Sequence, residues 1–182
     1  ELWKSCHGRS EDLLLVPGAV DAVIPEVGAD PYPTDDRPRV LFAGNIYRLR
    51  DQPEANRVLS DKLNTLGAHL VKRGIRLYFL GTGNTRRLDR SVVTLLGHAP
   101  YDASWDYLRF ATVGIVVAAG PFMHNNESTK IYHYLRAGLP VVSEAGFPND
   151  HVVTASGLGE VVPNGDMAFM AERVDAAVQR EW

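Results

Sequence analysis

From Arg39 onward, short uninterrupted apolar runs alternate with longer segments of helical periodicity. That alternation commits the chain to βαβ units and a parallel sheet. The runs are Arg39–Ala43 (RVLFA), Arg76–Leu80 (RLYFL), 92–96 (VVTLL), 113–117 (VGIVV), 140–142 (PVV) and 160–162 (EVV). They lack the period-two alternation of a strand with one wet face, so both faces of the sheet are expected to be covered. Between the first two runs, Ala55, Leu59, Leu63, Leu66 and Leu70 recur at helical spacing. They predict an amphipathic helix over 53–73 that opens on Pro53 and stops at Gly74. Further helices are predicted over 101–110, 128–137 and 166–180, the last with Met170, Val174 and Ala177 on one stripe. The expected fold is α/β: a Rossmann-like parallel sheet of about six strands with helices on both faces.

A length of 182 residues suits one domain with a short appendage. The stretch 27–38 (VGADPYPTDDRP) reads as a linker, with LLLVPGAV before it a separate strand-like remnant. The expected organisation is therefore a connection over 1–38 and one domain over 39–182. A hydrophobic share of 45% and a charged share of 23% exclude disordered and fibrous classes. With 19 Lys plus Arg against 22 Asp plus Glu, the net charge is -3. No global positive field gathers nucleic acid, no nucleic-acid partner is expected, and any anion must be bound locally. The lone Cys6 excludes an internal disulfide and a cysteine-based metal cluster, and a reducing cytoplasmic setting is the expectation. No run approaches the ~18 apolar residues of a membrane span. The N-terminal ELWKSCHGRS has neither signal-peptide architecture nor an initiating Met, so the chain is expected to be a piece of a longer protein.

In open parallel sheets ligands bind outside the carboxyl ends of the strands, which directs attention to three loops. Gly44-Asn45 follows the first run and Gly81-Thr82-Gly83-Asn84 the second. Glycines there either admit a ligand to the backbone or serve the turn alone. The third glycine and the acidic residue of the NAD fingerprint are missing. The third loop, PFMHNNESTKIYHYLRAGLPVV over 121–142, runs into a helix that Asn126 or Ser128 can cap. The free N–H groups of its first turn make an anion site. Lys130 lies in that turn, where the helix dipole disfavours a cation. The conflict points to a bound anion, the alternative being a solvated surface lysine.

This third loop resembles the signature of the retaining-type GT-B glycosyltransferases, a pattern like Lys-x-Tyr-Glu-Tyr-Leu-x-x-Gly-x-Pro-Val-Val, here Lys130 to Val142. RVLFAGN and RLYFLGTGN resemble the first two strands and loops of that family's C-terminal domain. VTLLGHAPYDASWDYLRFATVGIVVAA resembles the strand, helix and strand that follow, and LLLVPGAVD the segment entering that domain. The resemblance implies a nucleotide diphosphate sugar donor, with the diphosphate near Lys130 and the N–H groups of Ser128 and Thr129. It places the base near Gly97-His98 and the ribose near His133, with Gly44, Asn45, Gly81 and Gly83 in the loops around the donor. It also implies that a missing N-terminal domain holds an acceptor, a saccharide or lipid-linked saccharide, and supplies any membrane association. Hexosyl or uronosyl transfer without a cofactor is the implied reaction, and this fragment alone is expected to be inactive. Two departures stand out. Many members carry two glutamates eight positions apart, and Asn125 and His133 occupy those places. A neutral imidazole accepts at one nitrogen only, so Glu127 is the candidate substitute for holding ribose. The pattern without the second glutamate is also seen in glucuronosyltransferases of bacterial exopolysaccharide assembly. Two alternatives stay open: a two-domain nucleotide-sugar epimerase, and a binding module that has lost donor chemistry.

The histidines, His7, His69, His98, His124, His133 and His151, show no metal-ligand spacing, and no metal site is expected. Tyr132 and Tyr134 either stack on a base or belong to the core. Glu144-Ala145-Gly146 either faces the sugar or forms a plain loop. Ser143 lacks a Gly-x-Ser-x-Gly setting, so no hydrolase elbow is supported.

Overall fold

A computed structural model describes residues 20–182, apart from the side chain of Asn125. The N-terminal decapeptide and all of LLLVPGAV except Val20 lie outside the described residues. Six strands form one parallel sheet: β1 (Arg39–Ala43), β2 (Arg76–Leu80), β3 (Val93–Gly97), β4 (Val113–Val116), β5 (Val141–Glu144) and β6 (Gly159–Val162). Their order is β3-β2-β1-β4-β5-β6. Every residue of β4 and β5 is buried, which is why these strands read as continuous apolar runs. β3 lies one residue later than the run predicts, and its register with β2 slips between Phe79 and Leu80, pairing Leu80 with Gly97.

Five helices cover the sheet: α1 (Pro53–Val71), α2 (Tyr101–Arg109), α3 (Thr129–Arg136), α4 (Asp150–Ala155) and α5 (Met167–Gln179). Two cores follow from the pleat. On one face Val40, Phe42, Leu77 and Phe79 meet Leu59, Leu63, Leu66 and Leu70 of α1 and Met170 and Val174 of α5. On the other, Leu41, Tyr78 and Leu80 meet Trp105 of α2, Ile131 and Tyr134 of α3 and Val153 of α4. Leu63, Leu66 and Leu70 are fully buried, a contribution of about 1.5–3 kcal/mol each. α4 is absent from the sequence reading, as a six-residue helix with three β-branched residues offers too little periodicity.

The stretch read as a linker contains no regular element but is docked on α2 and β2. Tyr32 is buried edge-on against Tyr78 and Tyr107 and donates its hydroxyl to the Tyr107 carbonyl at 2.8 Å. The Gly28 N–H donates to Asp106 at 2.8 Å, and Arg109 donates to the carbonyls of Pro25 and Glu26. β1 is flanked by β2 on one side and β4 on the other. The chain therefore reverses its direction of winding there, and a crevice opens at the carboxyl ends of these two strands.

Candidate functional site

α3 points its N-terminus into this crevice. Ser128 is its N-cap by backbone position, but the Ser128 hydroxyl makes no cap bond and is buried without a partner. Asn149, fully buried, holds the position instead, accepting from the Ser128 N–H at 2.9 Å and donating to the Ser128 carbonyl at 3.1 Å. This corrects one expectation: the Ser128 N–H is committed to a side chain and does not face an anion. Among the described residues, the N–H groups of Thr129 and Lys130 have no acceptor, being too near the helix start for an intrahelical one. Asn126, the other candidate cap, lies outside the helix in extended conformation.

Lys130 is half-buried. Its stem lies against Gly44, where a Cβ would come within 2.8 Å of Cε, and Nζ sits 5.3 Å from the centroid of the Phe42 ring. No carboxylate of the described residues lies within 4.0 Å of Nζ. Burial therefore pulls the ammonium below its ordinary value of 10.5. Two cavities meet at this residue. One, of about 350 Å³, is lined by Gly44, Asn45, Tyr47, Met123, Thr129 and Lys130 among others. The other, about 200 Å³ and more apolar, is lined by Ala43, Tyr101, Leu108, Thr129, Lys130 and His133 among others. Ala43, Thr129 and Lys130 line both and so lie between them.

The structure gathers Gly44, Asn45, Thr129, Lys130 and His133 in this way and leaves others apart. His98 is exposed at the end of edge strand β3 and lines neither cavity. Gly81 and Gly83 are used within the fold: at φ +149° and +108°, their Cβ atoms would lie 1.7 Å from the Gly44 carbonyl oxygen and 1.9 Å from that of Ile46. Their bare backbones let the second loop support the first. Asn45 adds to this by accepting from the Thr82 N–H and hydroxyl. His133 is engaged at both ring nitrogens. Nδ1 is 2.8 Å from the Thr129 carbonyl, which can only accept, so Nδ1 donates, and Nε2 faces the Tyr101 hydroxyl at 3.3 Å. Glu127 bonds the hydroxyl of Tyr132, which Asn149 also approaches.

The open alternatives divide. Tyr134 belongs to the core: its hydroxyl accepts from the Ala43 N–H at 2.8 Å, its ring fills the space at Gly114, and burial pushes its hydroxyl pKa upward. Glu144 is fully buried and saturated, accepting from Lys62 at 2.7 and 2.9 Å and from the Ala118 and Gly165 N–H groups at 2.7 Å each. It ties α1 to the ends of β4 and β6 rather than facing a ligand. Asn149 and Glu144 were not legible as supports, because their partners lie 21 or more residues away.

A parallel sheet in this order, with a cation and N–H groups at the switch point that lack partners among the described residues, defines a Rossmann-like fold with the site placement of nucleotide-binding domains. No protein-family model and no curated protein matches the sequence. Solved structures do match, and they carry the GT-B glycosyltransferase fold. WaaG, a glycosyltransferase involved in lipopolysaccharide biosynthesis, aligns at TM-score 0.58 and 16% identity over 81% of this chain and 39% of its own. AviGT4, a glycosyltransferase involved in avilamycin A biosynthesis, aligns at 0.58 and 19% over 98% and 55%. Alr3699/HepE of Anabaena, in complex with UDP, aligns at 0.57 and 14% over 79% and 40%. The chain has the fold of one domain of such proteins and spans 39% to 55% of their length.

Proposed function

We propose that residues 39–182 are the donor-binding domain of a glycosyltransferase acting in polysaccharide or glycoconjugate synthesis. Residues 1–38 are then the connection to an N-terminal domain that carries the acceptor. The observation that carries this reading is Lys130, a partly buried ammonium with no carboxylate partner among the described residues, beside two N–H groups without an acceptor among them, at the carboxyl edge of a parallel sheet. Desolvating a cation costs free energy unless a counter-charge is supplied, and a diphosphate supplies it. In the transfer, the bond between the anomeric carbon and the diphosphate oxygen breaks, and its electron pair stays on the diphosphate. The acceptor oxygen forms the new bond and loses its proton. Lys130 and the N–H groups of Thr129 and Lys130 stabilise the charge that builds on the leaving diphosphate. The cavity of about 350 Å³ takes the sugar side, and the apolar cavity of about 200 Å³ takes the nucleoside side.

Calorimetric titration of the chain with uridine, guanosine, adenosine and thymidine diphosphates tests the reading. Binding of one of them is the expected result, and failure of all four overturns it. A second reading, a nucleotide-binding module without transfer chemistry, is favoured by His133, whose ring nitrogens are both engaged within the protein. Product analysis of the full-length protein with and without an acceptor separates the two, and would also expose an epimerase by release of free sugar. The fragment alone is expected to transfer nothing, since it lacks the opposite wall of the cleft.

A further inference from the structure

The Tyr101 hydroxyl, at the start of α2, lies between two acceptors. On one side is His133 of α3, whose Nε2 is 3.3 Å away. Since Nδ1 of that ring donates to the Thr129 carbonyl, Nε2 carries a lone pair and accepts. On the other side the hydroxyl hydrogen-bonds the side chain of Asp21, in the stretch ahead of β1. A phenol has one hydrogen to give, so the two acceptors compete for it. The carboxylate wins, because a hydrogen bond to an ionised acceptor is roughly twice as strong as one to a neutral acceptor. The separation from Nε2 agrees, since 3.3 Å is long for a hydroxyl donor.

The place of Asp21 is set by its neighbours. The adjacent Ala22 carbonyl accepts from Arg136, which lies one turn beyond His133 on α3. Farther along, the Pro25 and Glu26 carbonyls accept from Arg109 and the Gly28 N–H donates to Asp106, both on the helix that Tyr101 opens. These same two helices supply every lining residue of the cavity of about 200 Å³ except Ala43. With the stretch seated, Asp21 holds the Tyr101 hydrogen and leaves the Nε2 lone pair open. With the stretch lifted, the hydroxyl turns about its C–O bond to Nε2 and fills that acceptor, with no backbone movement in either helix.

We propose that Asp21 is a positioning residue for the donor: seated beside Tyr101, it keeps the Nε2 acceptor of His133 open for a ribose hydroxyl. Tyr101 and His133 both line the cavity given above to the nucleoside side, so the open acceptor and the ligand share one space. The seated and lifted states offer the ligand different contacts, which is what couples two sites. Nucleotide affinity therefore depends on whether the stretch is seated, and by linkage a bound nucleotide holds the stretch in place. Through this stretch the placement of the preceding domain is felt at the donor pocket. The ribose assignment rests on the donor-binding reading, whereas the competition for the Tyr101 hydrogen does not.

Calorimetric titration of the chain with uridine, guanosine and adenosine diphosphates selects the tightest, which is then compared with its 2′,3′-dideoxy analogue. Asp21→Ala is expected to weaken the ribonucleotide by about three- to tenfold, the latter equal to ~1.4 kcal/mol, and to leave the dideoxy analogue unchanged. In a Tyr101→Phe background, which has no hydroxyl to redirect, Asp21→Ala is expected to have no effect on either. Because Asp21 is exposed, Asp21→Ala is expected to keep the wild-type melting temperature. Nitrogen NMR of the ligand-free chain gives an independent readout: the His133 Nε2 resonance should move upfield in Asp21→Ala, as its lone pair gains a hydrogen bond, and stay in place when Tyr101→Phe is combined with it. Equal ribonucleotide affinities of wild type and Asp21→Ala overturn the proposal. A loss of the same size in the Tyr101→Phe background, or with the dideoxy analogue, makes Asp21 merely structural and overturns it as well. An unmoved Nε2 resonance in Asp21→Ala overturns the competition itself. Failure of all three nucleotides in wild type overturns the donor reading and the ribose assignment with it, while the resonance still decides which acceptor holds the Tyr101 hydrogen.

Discussion

Replacing Lys130 by Met keeps the stem that packs on Gly44 and Phe42 and removes only the charge. In the ligand-free protein this should be stabilising. The folded-state value of Lys130 lies below 10.5, so between that value and 10.5 the unfolded chain binds more protons than the folded one. Stability consequently rises with pH through that window, and at pH below both values the whole cost of burying the cation is present. Met removes that cost, and the melting temperature of the ligand-free variant should exceed that of wild type. With ligand the sign reverses. Met offers no donor in place of the ammonium, so the charge-assisted bond to a phosphate, about 1.5–3 kcal/mol, is lost outright. That corresponds to a weakening of about ten- to 150-fold. With ligand at about 100 times the wild-type Kd, binding stabilises wild type by about 2.7 kcal/mol. A loss of about 30-fold leaves the ligand at about three times the new Kd and a stabilisation of about 0.9 kcal/mol. The thermal shift induced by a nucleoside diphosphate should thus fall to about a third. Wild-type affinity should be highest below the free-state pKa of Lys130 and decline as pH rises through it toward the bound-state value. An unchanged Kd in Lys130→Met, or a lower melting temperature of the ligand-free variant, would refute the assignment of an anion to this cation.

Three further outcomes follow from the supports around the site. Glu144→Gln should destabilise the fold by about 3–5 kcal/mol in denaturant titration, because it strands Lys62 in a mostly buried setting; adding Lys62→Met should restore part of the loss. Asn149→Ala should cost about 1–3 kcal/mol by unpairing the buried Ser128 N–H, while the Ser128 carbonyl keeps its bond from the Ile131 N–H. It should also weaken nucleoside diphosphate binding, and a variant as stable as wild type would contradict the cap assigned to Asn149. Gly81→Ala should destabilise by more than ~1 kcal/mol, since its Cβ meets the Gly44 carbonyl oxygen at positive φ; a neutral effect in thermal melts would count against the loop-on-loop contact.

The strands were legible because burial on both faces leaves only one kind of residue acceptable at most positions, as in VGIVV. β3 was misplaced by one residue because an edge strand is half wet and its register shifts at Leu80, a tertiary effect with no local mark. α1 was legible from five apolar positions on one face, whereas α4 had too few turns to reveal a period. Composition cannot foresee the burial of Tyr32 within PYPTDD, since its partners are Tyr78 and Tyr107. At the site, Lys130 stood out as a conflict between charge and helix dipole, a local signal. The capture of the Ser128 N–H by Asn149 and the engagement of His133 with Tyr101 depend on distant residues, and only the folded chain reveals them.

The docked stretch ahead of β1 has a mechanical consequence. Its anchors run in sequence along two helices: the Ala22 carbonyl on Arg136, the Pro25 and Glu26 carbonyls on Arg109, the Gly28 N–H on Asp106, and then the buried Tyr32. Tension applied at Val20 must break these attachments before it reaches Arg39, where β1 hydrogen-bonds between β2 and β4 in the middle of the sheet. The stretch therefore acts as a strain relief, like the clamp that keeps a pulled cable from tearing its terminal. Forced unfolding from this end should begin with a short, low-force release of about 3.3–3.6 Å per freed residue before the sheet yields.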